Sequence, residues 1–226
     1  MKLSTICVQG AYRPKNGEPR VVPIVQSTTY KYDSSVEMGD LFDLKKSGYF
    51  YSRLQNPTCD TVAAKIAMLE GGVAGMLTGS GQAANFYAIF NIAGAGDHIV
   101  SSTAIYGGTY NLLAHTLVDY GVTTTFVAPS DYDKIEASFQ ENTKALYIET
   151  LGNPNSDVVD IERLAQIAHA HKVPLVVDNT FATPYLVRPF EYGADIVVHS
   201  ATKFIGGHGT SLGGVIVENG KFDWEG

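Results

Sequence analysis

The sequence predicts an α/β domain built on a mostly parallel β-sheet with helices on both faces. From Asn56 onward, short runs rich in β-branched residues alternate with segments of helical pattern, an order typical of βαβ units. Most of these runs are apolar at consecutive positions, as expected of strands buried on both faces. In such sheets ligands bind at the carboxyl ends of the strands, so that edge is where functional groups are expected.

The first element of this domain is a helix that begins at Pro57. Asn56 is a candidate N-cap, Pro57 suits the first helical position, and Gly71-Gly72 ends a run of helical spacing. Strands are then predicted at 75–77, 98–100, 124–127, 145–148, 175–177, 196–198 and 215–217. Helical patterns lie between them near 82–93, 108–120, 131–140 and 160–171.

Residues 1–56 lack this periodicity. They are rich in Pro, Gly, Tyr, Ser and Thr, a composition typical of irregular chain. A segment without its own core must pack against something else, so we predict an extended N-terminal arm that contacts a neighbouring subunit. The chain is therefore divided into this arm, over residues 1–56, and a domain over residues 57–226.

Composition restricts the classes of function. The chain has 226 residues, an apolar content of 45% and a formal charge of -7, with no dense Lys/Arg run that would attract nucleic acid or an anionic membrane. No apolar run approaches the ~20 residues of a membrane span, and no signal-peptide core follows Met1. We expect a soluble, cytoplasmic protein that acts on small polar molecules.

The cysteines and histidines predict neither a disulfide framework nor a metal site. Cys7 and Cys59 are the only cysteines, and they lack the CxxC spacing. Of the six histidines only His169 and His171 are close in sequence, and residues at i and i+2 do not share a helix face. A metal enzyme is therefore not expected.

The groups with the clearest chemistry follow the strands at 175–177 and 196–198. Asp178 ends the first, and Lys203 comes after the second, preceded by Ser200 and Thr202. A pyridoxal phosphate (PLP) site needs an amine for a Schiff base and a carboxylate for the ring nitrogen, and small hydroxyls can hold the phosphate. Taken singly, a lysine is more often solvated and an aspartate at a strand end often caps a turn.

Three earlier strand ends also carry suitable groups. Gly79-Ser80-Gly81-Gln82 opens a helix and could cradle a phosphate with its amides, or be an ordinary βα turn. Tyr106 could stack on a planar cofactor or be an ordinary rim aromatic. Glu149 and Asn153 close another strand, where Asn before Pro is also common turn chemistry. Five strand ends that each suit a separate PLP task favour a PLP site.

These segments resemble, in order, the Cys/Met-metabolism family of PLP enzymes, which includes cystathionine synthases and lyases, methionine γ-lyase and O-acetylhomoserine sulfhydrylase. The matching segments are Tyr51-Ser52-Arg53, Asn56-Pro57-Thr58, Gly79-Ser80-Gly81, Tyr106-Gly107-Gly108, Glu149 with Asn153-Pro154, Asp178-Asn179-Thr180 and Ser200-Ala201-Thr202-Lys203. They span essentially the whole chain. The resemblance implies the large domain of a fold type I PLP-dependent transferase, similar to aspartate aminotransferase.

The resemblance also implies a role for each matching residue. Lys203 would be the Schiff-base lysine, Asp178 the partner of the pyridine nitrogen, and Tyr106 the aromatic that stacks on the ring and assists proton movement. The remaining contacts within the subunit would be Gly81, Gln82, Ser200 and Thr202 at the phosphate and Asn153 near the phenolic oxygen. Tyr51 and Arg53 would reach the phosphate of a neighbouring subunit's cofactor, in a homo-oligomer that is commonly a dimer of dimers.

Details of the sequence resemble the sulfhydrylase branch of the family. Gln82 stands where the γ-synthases and lyases more often have Met, residues 206–214 replace their usual Gly-His-Ser-Asp segment, and residues 220–224 resemble an insertion of the O-acetylhomoserine sulfhydrylases. The reaction implied is γ-replacement on O-acetyl-L-homoserine with sulfide, which gives homocysteine and acetate. A cystathionine γ-synthase, a methionine γ-lyase and a catalytically silent PLP-binding fragment are the alternatives.

The length of the chain differs from the family pattern. The sequence ends at Gly226, whereas the family continues through a further strand-rich part and a C-terminal domain, which supplies the arginine that binds the substrate's α-carboxylate. We therefore expect a large domain over residues 57–226 that is truncated, with the small domain absent.

Overall fold

A computed structural model describes residues 1–225; Gly226, the last residue of the predicted domain, lies outside the described residues. The α-helices are Leu3–Gln9 (α1), Ser35–Phe42 (α2), Pro57–Glu70 (α3), Gly81–Phe90 (α4), Gly107–Asn111 (α5), Tyr132–Ala137 (α6), Ile161–Ala170 (α7) and Thr183–Leu186 (α8). The β-strands are Ala74–Thr78 (β1), His98–Ser102 (β2), Thr123–Val127 (β3), Thr143–Glu149 (β4), Leu175–Asp178 (β5), Ile196–Ser200 (β6) and Gly214–Glu218 (β7).

The strands form one mixed sheet in the order β1-β7-β6-β5-β4-β2-β3. Strand β7 pairs antiparallel with both β1 and β6, and every other pairing is parallel. The predicted strands and the mostly parallel sheet are confirmed, although the pattern of β7 gave no sign of its direction. The carboxyl ends of β1, β2, β4, β5 and β6 consequently lie along the same edge of the sheet.

Each central strand divides its side chains between two hydrophobic cores. In β4, Leu146 and Ile148 pack with α3, α6 and α7, whereas Ala145 and Tyr147 pack with α4 and the segment after α5. All four side chains are almost fully buried. Burial on both faces explains why these strands are continuous apolar runs, and it confirms that helices cover both faces.

Helix α3 begins and ends where the sequence predicts. The Asn56 side chain accepts the backbone N–H of Thr58 at 2.9 Å, and Pro57 occupies the first turn. Gly71 ends the helix in the left-handed region at φ +83°, which glycine adopts without the strain that a Cβ brings.

The helix expected near 108–120 is interrupted. Helix α5 is followed by a π-turn at Leu112–Thr116 and a 3₁₀ turn at Leu117–Tyr120. The wider turn allows Leu112, Leu113 and Leu117 to enter the same core. Uniform helical spacing does not reveal such a change of pitch.

The N-terminal arm is less irregular than predicted, because it contains α1 and α2. The side-chain oxygen of Ser34 accepts the backbone N–H of Glu37 at 3.1 Å, a capping signal that marks the start of α2. The arm is attached to the domain at the start of α3, where the Val25 N–H donates to the Thr58 hydroxyl oxygen at 2.9 Å and that hydroxyl donates to the carbonyl oxygen of Pro23 at 2.7 Å. Its contact with a neighbouring subunit stays a prediction.

Residues 1–225 contain neither a membrane-spanning helix nor a cluster of potential metal ligands. Within that range, no helix combines the length and the apolar character needed to cross a membrane. The same residues contain no group of three or more His, Cys, Asp or Glu side chains placed to hold a metal ion. The close pair of histidines has separate partners, since His169 Nε2 lies 2.7 Å from Asp195 and the His171 ring stacks on Phe139.

Candidate active site

A cavity of about 500 Å³ lies at the carboxyl edge of the sheet. Its lining consists of Ser80, Gly81, Gln82, Asn85, Tyr106, Glu149, Leu151, Asn153, Asp178, Thr180, Phe181, Ser200, Thr202, Lys203 and Leu212. The structure thus brings together eight of the predicted site residues, which are Gly81, Gln82, Tyr106, Asn153, Asp178, Ser200, Thr202 and Lys203. They come from segments up to 122 residues apart, and the parallel strands place them side by side.

Asp178 presents a buried carboxyl that is surrounded by donors. Its Oδ1 accepts the backbone N–H of Thr180 at 2.9 Å and the Thr180 hydroxyl at 2.5 Å. Its Oδ2 lies 3.4 Å from both the Asn85 amide and the Tyr147 hydroxyl, and that hydroxyl also donates to Asn85 at 2.9 Å. Donors around both oxygens orient this carboxyl and stabilise its negative charge.

The part of the cavity at the start of α4 has the features of an anion site. Helix α4 begins there at Gly81, and the Ser80 hydroxyl oxygen accepts the backbone N–H of Ala83 at 3.1 Å. A Cβ on Gly81 would lie 2.5 Å from the Cβ of Ser200, so only glycine permits this close approach. The helix N-terminus, Ser200 and Thr202 together form a polar cradle. Within it the Thr202 hydroxyl donates to the Gly213 carbonyl oxygen at 3.2 Å.

Tyr106 stands at the cavity rim with 54% of its surface exposed. Its backbone N–H donates to Glu149 Oε1 at 2.7 Å. Its ring lies against Gly108, where an added Cβ would come within 2.4 Å of the ring. The Gln82 amide donates to the Gly108 carbonyl oxygen at 3.1 Å, so this side chain supports the tyrosine loop. The predicted contact of Gln82 with a phosphate stays a prediction.

Lys203 and Asn153 enter the cavity from two turns. The turn after β6 is closed by hydrogen bonds from the Lys203 N–H to the Ser200 carbonyl oxygen at 3.1 Å and from the Gly207 N–H to the Lys203 carbonyl oxygen at 2.8 Å. The loop after β4 is closed by the Gly152 N–H, which donates to the Asp157 carbonyl oxygen at 2.8 Å. Both turns follow strand ends, as the sequence predicted.

Tyr51 and Arg53 do not line the cavity of their own chain. Tyr51 forms an isolated antiparallel bridge with Thr29, and the Arg53 guanidinium lies 5.0 Å from the centre of the Tyr51 ring. Their predicted role, in the cavity of a neighbouring subunit, stays a prediction.

Asn85 and Tyr147 were missed by the sequence reasoning, although both contact Asp178. A local signal existed for each. Asn85 stands four residues after Gly81 on α4 and therefore on the same helix face, and Tyr147 stands two residues before Glu149 on the same face of β4. Burial strongly raises the pKa of Tyr147, and the nearby charge of Asp178 adds to the effect.

Glu149 is a second buried carboxyl in the cavity. Burial raises its pKa to about 8, with a further contribution from the charge of Asp178, while the hydrogen bond from the Tyr106 N–H opposes the shift. The two carboxyls occupy paired positions on neighbouring strands, since Glu149 and Asp178 are register partners of β4 and β5. The raised pKa favours the protonated form of Glu149 near neutral pH.

Behind the cavity, a polar cluster ties α3 to the ends of β5 and β6. Glu70 Oε1 accepts the Asn179 amide at 2.9 Å and lies 2.5 Å from His199 Nε2. Thr180 and Ser200, which follow Asn179 and His199 in the chain, line the cavity. The cluster therefore fixes the backbone from which Ser200 projects. Within residues 1–225 three atoms of the cluster are buried without a hydrogen-bond partner, namely Glu70 Oε2, Asn179 Oδ1 and His199 Nδ1.

Sequence comparisons relate this chain to known proteins. A family model described as "Cys/Met metabolism PLP-dependent enzyme" matches residues 4–226. A homocysteine synthase of Schizosaccharomyces pombe is 54% identical over 91% of this chain and 48% of its own length. An O-acetyl-L-homoserine sulfhydrylase of Leptospira meyeri is 46% identical over 99% of this chain and 51% of its own length. The chain spans about half the length of the curated relatives it matches.

A solved structure from Campylobacter jejuni superposes on 98% of this chain and 55% of its own, with a TM-score of 0.95 and 40% identity. It is described as a candidate O-acetylhomoserine (thiol)-lyase, and it contains N'-pyridoxyl-lysine-5'-monophosphate. The similarity covers both the sheet domain and most of the N-terminal arm.

Proposed function

We propose a function from one premise: this chain belongs to the Cys/Met metabolism PLP-dependent enzyme family. The fold type I class expected from its motifs is confirmed by the similarity to the Campylobacter jejuni structure. We propose that the chain forms the cofactor domain of an O-acetylhomoserine sulfhydrylase. The reaction would exchange the acetate of O-acetyl-L-homoserine for sulfide and release homocysteine. The names of the two curated relatives support this choice within the family.

The observation that carries the proposal is the placement of Lys203 and Asp178 in one cavity beside an anion cradle. Bound PLP supplies an aldehyde for amines and a protonated ring that accepts electrons from a substrate carbanion. The residues present suit such a group. Gly81 lets α4 approach Ser200, where a Cβ would clash, and the α4 N-terminus with the Ser200 hydroxyl offers donors for a phosphate. Thr202 would adjoin the same phosphate.

At the other end of the cavity, Asp178 would hold the proton of the ring nitrogen. The donors from Thr180, Asn85 and Tyr147 keep its carboxyl in one orientation, so it can accept that hydrogen bond without rearrangement. Tyr106 would stack on the ring, and Asn153 would donate to the phenolic oxygen. Gln82 would contribute at the phosphate end.

Lys203 would bind the cofactor covalently through Nζ. When the amine of the substrate takes its place, the free Nζ would remove the proton from the substrate Cα and deliver protons at later steps. Tyr106, at the rim of the same cavity, would assist this proton movement. The residue that binds the substrate's α-carboxylate is not assigned to any position of this chain.

We also propose a cytoplasmic homo-oligomer, in the form of a dimer of dimers. In it Tyr51 and Arg53 would reach the phosphate in the neighbouring subunit, which fits their absence from the lining of the cavity in their own chain. The substrates would be a small amino acid and sulfide or another thiol.

Reduction with borohydride followed by peptide mass spectrometry tests the cofactor site. We expect a pyridoxyl group on Lys203 in the wild type and none in Lys203→Ala. A pyridoxyl group on a different lysine would contradict the assignment. Lys172→Ala, a change at an exposed lysine, is the matched control and should leave the labelling intact.

Product analysis tests the reaction. The purified protein is supplied with O-acetyl-L-homoserine plus sulfide, then with the ester plus cysteine, and then with methionine alone. Homocysteine that depends on sulfide supports the proposal. Cystathionine would indicate a γ-synthase, and methanethiol from methionine would indicate a γ-lyase. Labelled Lys203 without turnover of any of these substrates would indicate a catalytically silent PLP-binding protein.

A further inference from the structure

Glu149 lies in the cavity but has no part in the function proposed above. It ends β4 in register with Asp178 of β5, and both residues are nearly buried, at 6% and 8% exposure. The cavity therefore holds two neighbouring carboxyl groups. The proposed chemistry requires only one of them, as the partner of a ring nitrogen.

The two carboxyls differ in their hydrogen bonds. Donors from Thr180, Asn85 and Tyr147 surround Asp178, whereas Glu149 accepts the Tyr106 N–H at 2.7 Å. Two negative charges this close in a poorly solvated site are unfavourable, so the carboxyl with fewer donors keeps its proton. The elevated pKa of Glu149, about 8, agrees with that assignment.

The titratable groups around Glu149 come from four segments of the chain. Asp178 faces it from β5, Tyr147 lies on its own strand, Tyr106 approaches from the segment after β2, and Lys203 enters the same cavity after β6. In its neutral form, Glu149 adds no second negative charge beside Asp178. Its oxygen still accepts the Tyr106 N–H.

That bond holds the main chain from which the Tyr106 ring projects. Tyr106 is the N-cap of α5, yet its own side chain makes no capping hydrogen bond. The loop is held instead by the bond to Glu149, by the contact of the ring with Gly108, and by the Gln82 amide on the Gly108 carbonyl oxygen. Because the ring is half exposed, packing alone does not fix its position.

We propose that Glu149 is a positioning residue of the cofactor site. Its carboxyl holds the main chain of Tyr106 so that the phenol ring faces the ring of the bound cofactor. The inference rests on the proposed PLP function, and it assigns to Glu149 no direct contact with the reacting atoms.

The test is a titration of purified protein with PLP, followed by absorbance and by visible circular dichroism of the bound cofactor. Glu149→Ala removes the acceptor and frees the loop, so PLP should bind about tenfold more weakly, the effect of one lost hydrogen bond. The visible circular dichroism band should also decrease, because the stacked ring is no longer fixed. Glu149→Gln keeps an acceptor oxygen and should bind within about threefold of wild type with a normal band. Glu141→Ala, at an exposed site, is the control.

A double-mutant cycle shows whether Glu149 acts through Tyr106. In a Tyr106→Ala background, adding Glu149→Ala should weaken PLP binding by less than about twofold, since residues that act through each other are not additive. If the two substitutions weaken PLP binding by independent factors that multiply in the double variant, the proposal is overturned. If Glu149→Ala does not fold, the result for Glu149→Gln decides: a tenfold loss of affinity in that variant would contradict a role based on accepting the N–H.

Failure of this inference is distinct from failure of the proposed function. A wild type that neither binds PLP nor forms pyridoxyl-Lys203 would contradict the proposed function. A wild type that binds PLP at Lys203, together with a Glu149→Ala variant of equal affinity and an unchanged circular dichroism band, would overturn the role of Glu149 alone.

Discussion

The N-terminal arm and the sheet domain are both ordered, but they are held by different means. In the domain, β4, β5 and β6 are buried on both faces by helices. In residues 1–56 the buried hydrophobic side chains are Ile6, Leu41 and Phe50, while Ile24 and Leu44 are more than four-fifths exposed. Secondary structure alone therefore does not distinguish a self-supporting region from one that depends on another surface. Burial distinguishes them.

The two regions should differ most in the loss of stability when the polar cluster behind the cavity is disrupted. Glu70→Ala leaves His199 and Asn179 buried without their shared acceptor, which should lower the free energy of unfolding by about 3 kcal/mol. Glu18→Ala removes an exposed carboxylate from the arm and should change it by less than about 0.5 kcal/mol. Urea unfolding followed by far-ultraviolet circular dichroism measures both. Equal losses would contradict the distinction between a supported and an unsupported region.

Substitution of one leucine in each region compares the contribution of side-chain packing to stability. Leu164, on α7, is fully buried, and Leu54, in the arm, is 60% exposed. Leu164→Ala should destabilise the protein by about 2–3 kcal/mol through lost burial and the cavity that remains. Leu54→Ala should cost less than about 0.5 kcal/mol. In the same urea experiment, a large loss for Leu54→Ala in a dilute monomeric sample would show that the arm packs on its own chain after all.

The contribution of Glu149 to the stability of the domain should appear in the pH dependence of the free energy of unfolding. Its pKa is about 8 in the folded protein against 4.5 for the ordinary carboxyl, so the folded state binds the extra proton between these values. Stability should therefore decrease as pH rises through this window, by up to about 1.4 kcal/mol per pH unit. Glu149→Gln should remove the decline and be more stable than wild type at pH 6, by about 2 kcal/mol, with little difference at pH 4.5.

Thermal unfolding of the cofactor-free protein at several pH values measures this effect. Leu54→Ala, which changes no charge, should give a curve parallel to wild type. A Glu149→Gln curve that is also parallel to wild type would contradict the raised pKa.

The sequence predicted the elements that repeat a local pattern. Each strand of the sheet and the helix from Pro57 were identified, because apolar spacing and caps are properties of neighbouring residues. The site followed from that pattern, since parallel strands bring their carboxyl ends to one edge. The antiparallel direction of β7 and the helices α1 and α2 were missed. Direction depends on pairing, and α1 and α2, with 7 and 8 residues, are too short for helical spacing to stand out.

Side-chain contacts between residues far apart in the sequence could not be predicted from local patterns. The Tyr147 hydroxyl meets Asn85 across 62 positions, and His199 meets Glu70 across 129. No spacing rule links such pairs. Glu149 was noticed as an acid at a strand end, but its role depends on the Tyr106 N–H, 43 positions earlier in the chain.

Arg53→Ala has the smallest expected effect on stability. It is also the most direct test of the role predicted for the arm. Arg53 is exposed and its guanidinium lies 5.0 Å from the centre of the Tyr51 ring, so Arg53→Ala should change the free energy of unfolding by less than about 0.5 kcal/mol. PLP affinity should nevertheless fall by about tenfold, the effect of losing one charged hydrogen bond to a phosphate.

Mixing two defective variants then tests which subunit the arm serves. Arg53→Ala keeps Lys203 but lacks the arm's cation, and Lys203→Ala has the reverse defect. If the arm of one subunit serves the cavity of another, mixed oligomers contain cavities with an intact Lys203 and an intact Arg53 from the partner. Tight PLP binding should therefore return after the two proteins are unfolded together and refolded as a mixture. If Arg53 served its own chain, no mixed cavity would be complete, and affinity would stay at the level of the Arg53→Ala protein.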